Sequence, residues 1–226
     1  MRALGAALPG VDVAAYAAAG RDPLEPMLDS GDPSSEILIF GRDPGKDEIV
    51  HQAPFVGAGG QKIRRVLAER LLGRPPANLA ESITVGEGLF WANTVPYKPV
   101  GNKAWSEKIK AQFRPWVADL LVHSWRGHTV LAMGQDALMW WSAWGDPAEF
   151  DALWASPDRF SSTITVEVRA DGASRAVQVS PLPHPSPLNA TWAKVFPSIL
   201  HARLDALHWP GRRSDAAAAA SSPQEP

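Results

Sequence analysis

Cysteine is missing from all 226 residues, which excludes disulfides, thiolate nucleophiles, cysteine-ligated zinc and iron–sulfur clusters together. No apolar run approaches the ~20 residues of a membrane-spanning helix, so a soluble chain without a membrane partner is expected. An excess of one charge sign is also lacking: 22 Lys and Arg stand against 24 Asp and Glu, a net charge of -2, and the charge of the whole molecule therefore points to no nucleic-acid partner. Arg2 is the only base ahead of the Ala-rich stretch that follows Val11 and Asp12. Neither a secretory leader nor an Arg-rich transit pattern is formed, and a cytoplasmic location is the expectation.

The bases that are present cluster. Five lie between Lys98 and Arg114 (Lys98, Lys103, Lys108, Lys110, Arg114) against the single acid Glu107, and five more between Lys62 and Arg74 against Glu69. Such patches can track a phosphate backbone, or simply be the solvated faces of helices.

With 45% hydrophobic residues, the length suits one α/β domain with a substantial core. Apolar runs at 36–40, 89–93 and 129–133 read as buried strands. Helical patterns at 13–18, from Gly60 to Leu72, from Ser106 to Ser124 and from Asn189 to Leu207 alternate with them, the last interrupted by Pro197. Lys46–Ala53 reads as loop, and a Trp-rich helix follows Gly134. The segments 163–169 and 176–180, joined through Asp171-Gly172, read as a hairpin. The expected organisation is a helical or irregular extension over 1–33, a three-layer α/β/α domain with a mainly parallel central sheet over 34–210, and a disordered tail over 211–226.

In such sheets the site lies beyond the carboxyl ends of the strands, and three chemically capable residues fall there. Asp43 follows the first strand in Gly41-Arg42-Asp43-Pro44-Gly45, Asn93 ends the second, and His184 lies in the proline-stiffened loop His184-Pro185-Ser186-Pro187-Leu188 after the hairpin. A carboxylate and an imidazole converging from separate strands suit cleavage of a bond that leaves one fragment positive and the other negative, as a glycosidic bond to a nucleobase does. Each residue also has a plainer reading: Asp43 as a turn former, Phe55 as a core ring, Asn93 as a partner for strand-end backbone, His184 as a loop histidine. The triplet Trp140, Trp141, Trp144 reads as a helix packed into the core rather than as a partner surface.

Taken in order, these segments resemble the uracil-DNA glycosylase superfamily. Gly41–Gly45 resembles its water-activating motif, His184–Leu188 its histidine and leucine loop, Pro54-Phe55-Val56-Gly57 with Gly60 the base-stacking segment of the iron–sulfur branch, and Ala92–Val95 with Lys98-Pro99 and Gly101-Asn102-Lys103 the base-reading segment. The resemblance spans about residues 36–192. It implies release of uracil from DNA as free base, leaving an abasic site, by a monofunctional enzyme expected to be monomeric and to need no metal or organic cofactor.

It further implies Asp43 and His184 as catalytic groups, with Gly41, Arg42, Gly45, Phe55 and Asn93 around the flipped base. Leu188 becomes the wedge, and Ser186, Pro187, Lys98, Lys103 and Arg64 the contacts to DNA. Asp47 and Glu48 are alternatives to Asp43 for activating water. The absent cysteines mean that packing replaces the cluster. Gly45 stands where the best-known branch carries a tyrosine wall against thymine. Three rival functions are a lesion sensor with little turnover, a nucleoside hydrolase and an interaction module. The nucleoside hydrolase is disfavoured by the lack of an aspartate cluster near the first strand.

Overall fold

A computed structural model describes residues 1–209, and the tail expected over 211–226 lies outside them. Six strands form one sheet in the order β1-β3-β2-β4-β6-β5: β1 (Asp29–Gly31), β2 (Ile37–Gly41), β3 (Phe90–Asn93), β4 (Thr129–Met133), β5 (Ile164–Ala170) and β6 (Ala173–Leu182). The four inner strands are parallel, and the two edge strands run antiparallel to their neighbours.

Side chains alternate across this sheet with period two. Leu38 and Phe40 of β2 face one way, into a core shared with Val117, Leu121, Trp125, Trp140, Trp141 and Phe150. Ile37 and Ile39 face the other way, into a core with Ile63, Val66, Leu67, Phe196, Leu200 and Leu204. The first core is covered by α6 (Glu107–Asp119), α7 (Gln135–Met139) and α8 (Pro147–Ala155), and the second by α4 (Ala58–Leu72) and α9 (Phe196–Ala206). The architecture is therefore three-layer α/β/α. Trp140 and Trp141 are fully buried and pack on Phe40, the first tilted and the second edgewise, with ring centroids 4.9 Å away in both cases, which is core packing and not a partner surface.

The remaining helices are short: α1 (Arg2–Ala6), α2 (Val13–Ala18), α3 (Lys46–His51) and α5 (Leu79–Thr84). The N-terminal segment is tied down by a small cluster of Leu8, Val95, Tyr97, Trp105 and Phe113. It also supplies β1, which pairs with β3, so the sheet extends across the boundary drawn at residue 33.

Three expectations require correction. Lys46–Ala53 is not loop throughout, because Glu48 Oε2 accepts the Gly45 backbone N–H at 3.0 Å and caps a helical turn that the sequence pattern is too short to show. The last helix begins at Phe196 rather than near Asn189, and Pro197 starts it rather than interrupting it, since proline lacks only a donor that the first turn leaves unpaired anyway. The Trp-rich helix after Gly134 is one short α-helix followed by a 3-10 turn over Trp140–Trp144. The hairpin is as expected, with Asp171 and Gly172 both at positive φ, as a tight two-residue turn requires.

Candidate active site

The carboxyl ends of β2, β3, β4 and β6 open onto one cleft of about 790 Å3. Of the thirteen site residues expected from the sequence, ten line it: Asp43, His184, Gly41, Arg42, Gly45, Phe55, Asn93, Ser186, Pro187 and Leu188.

Asp43 stands on the turn after β2 with its side chain 5% exposed. Burial pushes its pKa up to about 6, against the opposing pull of the Arg42 guanidinium, whose Nε donates to Asp43 Oδ1 at 2.8 Å. Glu48 cannot take its place. Both oxygens of that buried carboxylate accept backbone amides, from Gly45 at 3.0 Å and Gly57 at 2.8 Å, so it ties the Asp43 turn to the segment after Phe55. Asp47 remains on the cleft wall.

Asn93 ends β3 and is 3% exposed. The plain reading of a strand-end asparagine is that it satisfies backbone groups, but here its neighbour does so: Thr94 donates its amide to Gly41 O at 2.9 Å and its hydroxyl to Arg42 O. The Asn93 carboxamide has no hydrogen-bond partner among the described residues. Its donor and acceptor open onto the cleft, free to meet a ligand edge that offers the complementary pair.

Gly41 sits beneath this group. A β-carbon there would collide with the Phe55 ring and come within 2.7 Å of Asn93 Oδ1, so only glycine leaves a slot between ring and amide. Phe55 itself has φ 54°, a conformation that costs a non-glycine residue about 1–3 kcal/mol.

Arg64 holds that conformation in place, and this overturns its expected role at the DNA surface. It is 2% exposed, donates to the carbonyls of Phe55, Pro54, Ser82 and Ile83 at 2.7–3.1 Å, and lies 4.5 Å over Trp91. Burial lowers its pKa to about 10. Lys98 is likewise buried, bonded to Asp12 Oδ2 at 3.0 Å, Pro99 O at 2.9 Å and Asn102 Oδ1 at 3.0 Å, so it pins the N-terminal segment instead of reaching phosphate. Lys103 is exposed but does not line the cleft. The basic clusters failed as a guide because a run of bases does not reveal which of them have internal partners: Arg65, Arg70 and Arg74 are paired with Glu69, Asp205 and Glu81.

His184 lies across the cleft. The backbone N–H of Ser186 donates to its Nδ1 at 3.2 Å, which assigns the ring proton to Nε2. The ring is open to the cleft yet crowded by protein on its other sides, and this crowding, then the nearby Arg42 charge, lowers its pKa. Ser186 Oγ accepts the Leu188 amide at 3.2 Å and Asn189 Nδ2 donates to His184 O at 3.2 Å, so the loop is internally braced. Leu188, at its crest, is 94% exposed.

Sequence reasoning missed the wall after β4, formed by Met133, Gly134, Gln135 and Asp136. The signal was available, since a strand ending in Gly134 obeys the same rule that located Asp43 and Asn93.

A family model, the uracil DNA glycosylase superfamily, matches residues 28–208. The chain belongs to this superfamily. Membership makes it a hydrolase of N-glycosidic bonds in DNA, a DNA repair glycosylase by class, with DNA as its partner. No curated protein matches the chain.

Proposed function

We propose that this member of the superfamily removes uracil from DNA, releasing the free base and leaving an abasic site. The observation that carries the reading is the uncommitted Asn93 carboxamide, buried beside the Phe55 ring and across the cleft from an imidazole whose Nε2 carries a proton. A carboxamide offers one donor and one acceptor, which fits the edge of uracil when Nδ2–H meets O4 and Oδ1 meets N3–H.

Reaching the base requires flipping it from the stack at a cost of a few kcal/mol. Leu188 fills the space left behind. Phe55 stacks on the extruded ring, a contact contributing about 1–3 kcal/mol. As the glycosidic bond lengthens, the sugar gains oxocarbenium character and the base becomes anionic. His184 Nε2–H donates to the developing O2 anion, while ionised Asp43 stabilises the sugar cation and orients water toward C1′. Ser186 and Pro187 set the loop against the flanking phosphates.

The test is incubation of purified protein with oligonucleotides carrying uracil, a mispaired thymine, hypoxanthine or xanthine, with chromatography of the free bases. Uracil release faster than that of every other base supports the proposal. Tight binding of uracil-containing DNA without base release would make the protein a lesion sensor instead.

A further inference from the structure

Charges of alternating sign run from the cleft to the surface. Asp43 is bonded to Arg42, Arg42 Nη1 lies 3.7 Å from Asp136 Oδ2, and Asp136 Oδ1 lies 3.4 Å from Lys110 Nζ. Lys110, whose side chain is 2% exposed, is held in turn by Glu107 at 2.7 Å, and Glu107 faces Arg114 at 3.8 Å. The members come from three separate segments: the turn after β2, the start of α7, and α6.

The geometry at Arg42 is lopsided. Its Nε takes Asp43 Oδ1 at 2.8 Å, but Nη2 is 3.5 Å from Oδ2 and instead donates to Asn102 O at 2.9 Å. Arginine and carboxylate prefer two parallel bonds. Here the outer nitrogens are drawn off by the Asn102 carbonyl and by Asp136, so Asp43 Oδ2 keeps only a long, weak contact.

We propose that Asp136 is a positioning residue for base release: its carboxylate, 3.7 Å from Nη1 of Arg42, acts with the Asn102 carbonyl on Nη2 to keep the guanidinium turned away from a two-bond pair with Asp43, and so leaves Oδ2 free to hold the attacking water. This rests on the reading of Asp43 as the water-orienting group. Arg42 is thereby assigned a second task, keeping a buried carboxylate ionised without occupying it fully.

The charged groups around Asp43 are Arg42 on its own turn, Asp136 from α7, Lys110 from α6, His184 across the cleft, and Asp47 and Glu48 of α3 on the same wall. Arg42 and Lys110 favour its ionised form, and Asp136 opposes it. Asp136→Asn removes the opposing charge and the pull on Nη1, leaving only the Asn102 carbonyl to hold Arg42 off Asp43 Oδ2, so the Asp43 titration midpoint falls. Loss of the free oxygen slows the plateau rate all the same. Arg42→Gln moves the midpoint the other way, up by about 1–3 pH units.

The experiment has two arms. Carboxyl NMR follows the Asp43 titration in the DNA-free full chain, and single-turnover uracil release is measured against pH, with DNA affinity recorded for each protein. Expected for Asp136→Asn are a lower midpoint, a plateau rate reduced about tenfold or more and unchanged DNA affinity; Asp136→Glu restores both rate and midpoint toward wild type. An Asp43 midpoint unmoved by either Asp136→Asn or Arg42→Gln overturns the network, as does a plateau rate unmoved in Asp136→Asn. Wild-type protein that releases no uracil refutes the function proposed above, and the titration arm reports on the network even then.

Discussion

The backbone N–H of Ser186 points at Nδ1 of His184, so the imidazole faces the cleft as a neutral Nε2–H donor. Its pKa lies below the ordinary histidine range, while that of Asp43 is raised to about 6. The active form needs the histidine neutral and the aspartate ionised, and both conditions are met as pH rises. Single-turnover base release should therefore climb through about pH 6 and then stay level into the mildly alkaline range. The midpoint follows the Asp43 carboxyl, since the histidine is already neutral there. A rate that falls between pH 6 and 8 contradicts the assignment.

Gly134 supports the same histidine from below. A β-carbon there would stand 3.0 Å from His184 Cβ, and the residue has φ +92°. Gly134→Ala must strain its own backbone and push the imidazole out of place. Base release should drop at least tenfold, with DNA binding reduced much less because the Leu188 amide keeps its bond to Ser186 Oγ. Parallel rate and binding measurements check this.

Asp43 makes a prediction about stability as well as rate. A carboxyl whose folded pKa is raised stabilises the fold below its unfolded pKa, and that contribution is lost as pH rises through the folded value near 6. The shift corresponds to roughly 3 kcal/mol at pH above 7, at 1.36 kcal/mol per unit. Asp43→Asn should therefore melt higher than wild type at pH 8 and near wild type below pH 4. The pull of the Arg42 ion pair is already contained in that net shift. Equal melting temperatures at pH 8 would show that Asp43 carries no burial penalty.

Leu188 is exposed enough that its truncation removes almost no packing. Leu188→Ala should leave the melting temperature unchanged, within about 0.5 kcal/mol, yet slow release from duplex much more than from single strands, where no vacated stack needs filling. Equal slowing on both substrates argues against a wedge.

Much of this site could be read from the chain because strand ends are legible. Short apolar runs ending in Asp43, Asn93 and, after the hairpin, His184 identify the carboxyl edge of a parallel sheet, and the Pro-braced loop marks Leu188 as held out. What the chain conceals is pairing. Lys98 and Arg64 look like surface bases until Asp12, Asn102 and a ring of carbonyls are seen around them. Asp136 is one acid in a short helix until Arg42 and Lys110 are placed beside it. Long-range ion pairs depend on tertiary geometry, and no local pattern encodes them. The α3 turn was hidden for a related reason, since its cap is a single glutamate reaching back to a glycine.

The most direct test is single-turnover incubation of wild-type and Asp43→Asn protein with a duplex bearing one uracil, scoring free uracil by mass. The prediction is stoichiometric release by wild type and a rate about 10²- to 10⁴-fold lower in the variant, with DNA affinity preserved. No uracil from wild type, or equal rates from the two proteins, would contradict it.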